Sequence, residues 1–261
     1  APTTVTAFLS VAPKAGAFAM MIRFFNQALA DSGAMTGLGS VSVAVLPWAD
    51  ILSILAIITM TLGNAVAIQQ DNIKRMLAYS SVAHAGYMLL AMPLMSGDGI
   101  HAIMIYLVMY LFMNLGAFFV VIAIKNKTGG ETFDDYRGLG WEMPILGIVM
   151  TLFMVSLTGL PPTAGFIGKF YIFAALVKGG DPFYWLVFIG GINSVISLYY
   201  YLRVVKVMFL EGDRSDTILH PPRPIAILLM VTAIPTLLLG IYWSPIADWV
   251  TSSFNFFIQT I

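Results

Sequence analysis

The chain has 261 residues, of which 59% are hydrophobic and only 10% are charged, and its formal net charge is zero. Soluble domains carry about 25% charged residues, so this composition, with a mean hydropathy of +0.88, excludes a water-soluble domain and indicates an integral membrane protein with several spans. Zero net charge gives no electrostatic basis for a nucleic-acid partner. The absence of cysteine excludes a disulfide framework and Cys-ligated iron–sulfur clusters, and the three histidines lack metal-site spacing.

Seven segments have the length and apolar character of bilayer-spanning helices. Such a helix needs about 20 mostly apolar residues, and its surroundings are lipid. The seven segments lie at 3–29, 48–68, 73–95, 99–124, 143–178, 182–210 and 224–243. We therefore predict an all-α integral membrane fold with about seven transmembrane helices.

The first predicted helix contains a lysine far from its ends. Lys14 in "APTTVTAFLSVAPKAG" lies about 16 Å into the helix at 1.5 Å per residue. A charge at the centre of a bilayer costs at least about 2.5–3.5 kcal/mol, and such residues commonly mark an ion or proton path. The alternative is a structural lysine whose partner lies outside this chain. The first residues contain no initiator Met and no basic segment of a signal peptide, so we expect residue 1 to be internal to a longer polypeptide.

The third predicted helix combines basic, hydroxyl and imidazole groups in "NIKRMLAYSSVAHAGY". Lys74 stands at its start, and His84 follows about 15 Å further along the axis. A titratable histidine with hydroxyl groups on one helix is consistent with a proton relay. The alternative is that Lys74 anchors the helix at the membrane surface and that His84 is a hydrogen-bonded packing residue.

The fifth predicted segment is too long for one straight span. Pro161 and Pro162 in "SLTGLPPTAGFIGKF" interrupt it, because proline removes a backbone donor and clashes with the preceding turn. We predict two half-helices with an unwound joint within residues 143–180. Lys169 follows the joint, and broken helices of this type form mid-membrane sites in transporters. The alternative is a kink that only assists packing, with Lys169 near an interface.

The last two segments complete the predicted architecture. Tyr199, Tyr200 and Tyr201 precede Arg203 in the sixth, and we interpret them as aromatic anchors at the cytoplasmic interface. The tail, 244–261, contains Trp249 and Phe254 and is predicted to be an interfacial helix.

The basic residues predict the orientation of the helices. Nine of the thirteen lie in the second, fourth and sixth connections or at the adjacent helix ends, and Arg23 and Lys178 lie on the other side. The positive-inside rule places the side with nine charges in the cytoplasm. The nine residues are Lys74, Arg75, Lys125, Lys127, Arg137, Arg203, Lys206, Arg214 and Arg223.

Four stretches, in order over nearly the whole chain, resemble a known family. They are "APTTVTAFLSVAPKAGAFAMMIRFF", "NIKRMLAYSSVAHAGYMLLA", "SLTGLPPTAGFIGKFYIF" and "SLYYYLRVVKVMF". They resemble the antiporter-like family that includes subunit N of proton-pumping NADH–quinone oxidoreductase, respiratory complex I. The chain is similar to helices eight to fourteen of that family's fourteen.

The resemblance implies three parts and a set of site residues. The parts are 1–30, the last helix of a preceding repeat; 47–212, a five-helix repeat that contains the broken helix; and 221–261, the closing helix and tail. It implies proton translocation through Lys14, Lys169, His84 and Lys74, with Pro161 and Pro162 as the helix break.

The resemblance also implies what lies elsewhere. The chain would be a subunit of a translocating oxidoreductase with no redox centre, cofactor or metal site of its own. FMN, iron–sulfur clusters and quinone would belong to partner subunits of the membrane complex. The expected location is the bacterial inner membrane, with the mitochondrial inner membrane as the second choice.

Two other functions remain open at this point. One is a subunit of a multisubunit cation/proton antiporter or of a membrane hydrogenase with the same fold. The other is a membrane scaffold whose lysines serve only in ion pairs.

Overall fold

A computed structural model describes residues 2–30, 47–212 and 221–259, and the side chains of 2–25, 47–212 and 221–253. This part of the chain forms ten α-helices, with no strand beyond one isolated bridge between Asn72 and Thr132. The helices are α1 Thr3–Ala30, α2 Trp48–Ile68, α3 Ile73–Leu89, α4 Gly97–Thr128, α5 Leu139–Glu142, α6 Pro144–Thr158, α7 Ala164–Lys178, α8 Tyr184–Leu210, α9 Arg223–Ile241 and α10 Ser244–Gln259. Arg214, His220 and the side chain of Phe254 lie outside the described part.

The all-α membrane architecture is confirmed, but fewer helices span a membrane independently than the seven predicted. In the described residues, five helices are long and apolar enough, or six if the bent pair formed by Asp134–Glu142 and α6 counts as one span. One segment that falls short is α3, which has 17 residues and several polar side chains. The other is divided into α6 and α7, each of 15 residues. A 15-residue helix is about 22 Å long, shorter than the roughly 30 Å hydrocarbon core.

The break between α6 and α7 lies at the prolines. Gly159, directly after α6, has φ +89°, a conformation in which glycine avoids the steric cost that other residues meet. The peptide bond between Pro161 and Pro162 is cis, and α7 begins at Ala164. The two half-helices therefore have a short non-helical joint between them.

The centre of the bundle is α4, which contacts α1, α6, α7 and α9. The most extensive contact between two helices of the described residues is that of α2 with α3, whose backbones touch at small residues. A Cβ atom added to Gly86 would lie 2.5 Å from the backbone nitrogen of Met60, so no larger side chain fits there. Close approach at small residues is characteristic of packing between membrane helices. This contact places α3, with its polar side chains, inside the bundle.

Ion pairs join the helix ends at both ends of the bundle. At one end Arg203 pairs with Asp71 at 3.2 Å and Lys206 with Glu211 at 2.8 Å. At the other end Lys178, the last residue of α7, pairs with Asp98 of α4 at 2.7 Å. Arg203 and Lys206, which we assigned to the cytoplasm, thus lie at one end of the bundle, and Lys178 lies at the other. The division into the parts 1–30, 47–212 and 221–261 stays a prediction.

Candidate functional site

The most deeply buried cation of the described residues is Lys169, one and a half turns into α7. Its side chain is 4% exposed. The Nζ atom donates to the carbonyl oxygen of Thr158 at 2.7 Å and to the hydroxyl of Ser194 at 2.6 Å. It also lies 4.4 Å from the centre of the Tyr87 ring, on its face. These three contacts, from α6, α8 and α3, match the three N–H donors of an ammonium group.

The helix break creates the acceptor for this lysine. Thr158 is the last residue of α6, so its carbonyl oxygen has no partner within the helix. Because Gly159 lacks a side chain, the stem of Lys169 fits against it: a Cβ atom there would lie 2.7 Å from Lys169 Cδ. The hydroxyl of Ser156 in turn accepts a bond at 3.1 Å from the backbone nitrogen of Gly165 in α7. Backbone groups freed by the break are therefore satisfied within the protein, as the interior of a membrane requires.

A second lysine, Lys14, reaches the same interior from α1. It follows Pro13 in the middle of the helix and is partly buried. Its Nζ atom donates to the carbonyl oxygen of Ser81 in α3 and lies 5.1 Å from the centre of the Tyr110 ring. No carboxylate contact to Lys14 occurs in the described part of the chain.

His84 is placed between the two lysines by α3. It is 2% exposed. Its Nδ1 is 2.7 Å from the hydroxyl of Tyr106, and its Nε2 is 3.0 Å from that of Tyr201. The ring of Tyr110, which also faces Lys14, lies 5.0 Å from the imidazole, centre to centre. Since a tyrosine hydroxyl can donate or accept, both imidazole nitrogens keep a partner in the neutral and in the protonated state.

Our interpretation of the tyrosines of α8 is wrong for two of the three. Tyr200 and Tyr201 are 1% and 0% exposed and point into the bundle, whereas only Tyr199, at 63%, faces outward. Consecutive helical residues point about 100° apart, so three in a row span about 200°, and a helix packed against several neighbours, as α8 is, buries part of that arc. That rule could have identified the error. It could not have identified His84 as the partner of Tyr201.

Lys74 lies apart from this cluster. It pairs with Glu131 at 2.6 Å, at the end of the bundle where α3 begins. The structure therefore brings Lys14, His84 and Lys169 together around buried tyrosines and leaves Lys74 at the bundle end. The sequence analysis did not identify Glu131, because nothing in its neighbourhood shows that the loop folds back onto α3.

The described residues contain no group of three or more His, Cys, Asp or Glu side chains that could hold a metal ion. The buried cluster itself contains two amines and an imidazole, and these groups offer hydrogen bonding and reversible protonation.

Comparisons with known proteins agree on one family. Residues 1–197 match the family described as "NADH:quinone oxidoreductase/Mrp antiporter, TM". The chain is 53% identical over 259 residues to NADH-quinone oxidoreductase subunit N 2 of Sorangium cellulosum. The matched region covers 97% of this chain and 49% of that protein. The chain is 44% identical over 267 residues to subunit N of an Anaeromyxobacter species, covering 98% of this chain and 51% of that protein.

A solved structure gives the same result. A chain of respiratory complex I from Thermus thermophilus with bound aureothin is similar with a TM-score of 0.64 and 31% identity. The similarity covers 76% of this chain and 45% of the other. This chain thus spans about half the length of the curated relatives it matches.

Proposed function

Since this chain belongs to the NADH:quinone oxidoreductase/Mrp antiporter transmembrane family, we propose that it is the proton-translocating second half of a membrane subunit of NADH–quinone oxidoreductase. The proposal assigns the proton path to Lys14, His84 and Lys169, with Lys74 at its end. Pro161 and Pro162 supply the helix break that admits Lys169 to the path.

The observation that carries the proposal is the continuous buried polar cluster between the two lysines. Lys14 lies against the Tyr110 ring, Tyr110 lies against His84, and His84 bonds to Tyr201. The His84 ring also lies 6.0 Å from that of Tyr87, which faces Lys169. Buried charges and polar groups in a membrane are costly and mark ion or proton paths. A bundle held together by packing alone would not need them.

Two polar atoms of this cluster support the presence of water. The Tyr110 hydroxyl and the side-chain oxygen of Asn114 are buried without a partner in the described part of the chain. Buried polar atoms without a protein partner are commonly satisfied by ordered water. Asn114 faces α1, since its nitrogen donates to Ser10 at 2.6 Å, so such water would lie close to Lys14.

The proposed mechanism is a sequence of protonation changes. Lys14 and Lys169 each hold or release one proton, and His84 passes a proton between them through tyrosine hydroxyls and water. Electrons, FMN, iron–sulfur clusters and quinone belong to partner subunits in this proposal, and the complex lies in the bacterial inner membrane. The name of the family includes antiporters, but the curated relatives at 44% and 53% identity are named as NADH–quinone oxidoreductase subunits, which favours that assignment.

The experiment that tests the proposal replaces Lys169 in the full-length subunit within the assembled complex. Lys169→Met keeps the length and apolar packing of the side chain but removes the proton site. Lys169→Arg keeps a charge that is not released at physiological pH. We expect both variants to assemble and both to lose about a hundredfold or more in NADH-driven proton uptake, since a positioned proton-transfer group typically contributes about 10²–10⁴-fold.

The matched control is Lys178→Met, at the end of the same helix. Lys178 is exposed and pairs with Asp98, so uptake should stay near that of the parent. Normal uptake in Lys169→Met would remove Lys169 from the path and favour the scaffold. Normal uptake in Lys169→Arg would mean that a fixed positive charge suffices, and the relay would be withdrawn.

A further inference from the structure

Glu131 is a buried charged residue that the proposed path does not use. In the described part of the chain, only Glu131 and Lys169 are buried charged side chains. Glu131 lies in the loop after α4, next to the starts of α1 and α3. Burial of a carboxylate is unfavourable unless the carboxylate is paired and hydrogen-bonded. The partners of Glu131 therefore indicate the role of its side chain.

Three helices donate to this carboxylate. The Nζ atoms of Lys74 in α3 and Lys125 in α4 lie 2.6 Å and 3.0 Å from its oxygens. The hydroxyl of Thr3 in α1 donates to it at 2.5 Å. Hydrogen bonds between charged groups are about twice as strong as neutral ones. The carboxylate therefore holds the ends of α1, α3 and α4 together.

The main chain fixes Glu131 independently of its side chain. Its carbonyl oxygen accepts from the backbone nitrogen of Ile73 at 2.8 Å, and Phe133 donates to the carbonyl oxygen of Asp71 at 3.0 Å. Between these bonds, Asn72 and Thr132 form the isolated bridge. The loop is thus docked on the start of α3, and a conservative change of the Glu131 side chain should leave the docking intact.

The charges of the cluster do not balance. Burial alone would raise the pKa of Glu131, but hydrogen bonds from Lys74, Thr3 and Lys125 outweigh it and lower the pKa to about 2. Glu131 is therefore an anion at neutral pH, and it faces two lysines. Loss of one ammonium proton would still leave the carboxylate with a charged partner.

The two lysines differ in depth. The Lys74 side chain is 18% exposed and that of Lys125 is 40% exposed, so Lys74 is on the inner side. Lys74 also lies in the first turn of α3, the helix that contributes the Ser81 carbonyl to Lys14 and that carries His84. The other titratable or charged groups of the loop are Asp134, which pairs with Arg137 at 3.0 Å, Asp135, which accepts from Thr132, and Tyr136, which is buried.

We propose that Glu131 is a positioning residue for proton uptake: it holds Lys74 at the mouth of the path, with Lys125 as a second cation that frees Lys74 to exchange its proton. This inference rests on the proposed function. Lys74 releases a proton through water to the neutral amine of Lys14 and itself becomes a neutral amine beside the Lys125–Glu131 ion pair. A proton from bulk solvent then reaches Lys74 through water on the Lys125 side.

The test is the pH profile of NADH-driven proton uptake, per assembled complex in proteoliposomes, from about pH 6 to 9.5. Glu131→Gln removes the counter-ion of Lys74, so the alkaline limb should move to lower pH by about one unit, the effect of an opposite charge at this distance. Lys125→Met removes a like charge, so the limb should move to higher pH. Glu131→Asp keeps the negative charge, so the alkaline limb of its pH profile should lie at the same pH as that of the parent.

The control variant is Lys127→Met, which removes an exposed cation from the same end of α4. Its profile should coincide with that of the parent. A role limited to holding helix ends together predicts less assembled complex with an unshifted profile, and unshifted profiles in Glu131→Gln and Lys125→Met would overturn the proposal. If Glu131→Gln does not assemble, the direction of the Lys125→Met shift decides alone. Failure of the whole proton path is detected separately, by normal uptake in Lys169→Met.

Discussion

Single residues at the centre of the bundle depend on partners from distant parts of the chain. His84 in α3 receives one hydroxyl from Tyr106 in α4 and one from Tyr201 in α8. Both tyrosines are fully buried, as is their neighbour Tyr200. A neutral imidazole presents one donor and one acceptor, so rotation of two hydroxyl groups suffices to accommodate a change of its protonation state. The cluster can thus change protonation without moving a helix.

Removal of one of these hydroxyls should slow proton transfer and leave the fold intact. Tyr201→Phe deletes the hydroxyl 3.0 Å from His84 Nε2 and keeps the ring. We expect NADH-driven proton uptake of the assembled complex to fall by about tenfold, since one hydrogen-bond partner of a buried group is worth about 1–3 kcal/mol. Stopped-flow measurement of uptake checks this, with Tyr199→Phe, an exposed neighbour, as the control. An unchanged rate in Tyr201→Phe would assign its hydroxyl to packing.

Some residues of the candidate site could be predicted because the free-energy cost of placing them in a membrane depends only on their own stretch of sequence. Lys14, His84 and Lys169 stand out because a titratable group within an apolar segment is unfavourable regardless of its neighbours. Their partners were not predictable in this way. Tyr201 and Glu131 reach His84 and Lys74 only because of how helices distant in sequence are rotated and packed.

At the level of elements, the joint between α6 and α7 depends on particular residues, the prolines and Gly159. Proline chemistry predicted the interruption, and the structure places it at 159–163, between α6 and α7. Gly159 serves two purposes there, since it adopts a positive φ and leaves space for the Lys169 stem. The exact bounds of the half-helices could not be derived from the prolines, because a glycine after Thr158 ends α6 before they are reached.

Gly159→Ala should disturb both functions of this position. A non-glycine residue at positive φ costs about 1–2 kcal/mol, and the added Cβ would also displace Lys169. We expect lower thermal stability of the complex together with a severalfold loss of proton uptake per assembled complex. Gly129→Ala is the control, because Gly129 is also in the left-handed region, with φ +80°, and has no atom within 4 Å of the added Cβ. Equal uptake in the two variants would mean that only backbone strain matters at Gly159.

At the level of the whole molecule, ion pairs tie helix ends together at both ends of the bundle. Hydrophobic length predicted the positions of the long spans because the thickness of the bilayer is a fixed constraint. It overestimated the number of independent spans, because α3 and the α6–α7 pair depend on their neighbours to lie within the membrane. Packing against α2 and α4 places them there.

Cysteine labelling tests the predicted orientation directly, since the chain contains no cysteine of its own. Lys127 and Gly97 lie at opposite ends of α4. With the positive-inside orientation, a membrane-impermeant thiol reagent should label Lys127→Cys only from the cytoplasm and Gly97→Cys only from outside. Labelling of both from one face would contradict a membrane-spanning α4, and reversed labelling would contradict the orientation alone.

The end of α6 at Thr158 has an electrostatic consequence for Lys169. The peptide dipoles of a helix add up to about half a negative charge at its C-terminus, and Lys169 Nζ lies 2.7 Å from the last carbonyl oxygen of α6. The broken helix therefore supplies part of the negative potential that a carboxylate would otherwise provide. This potential comes from the backbone, so it is insensitive to pH and is present whether or not Lys169 carries its proton.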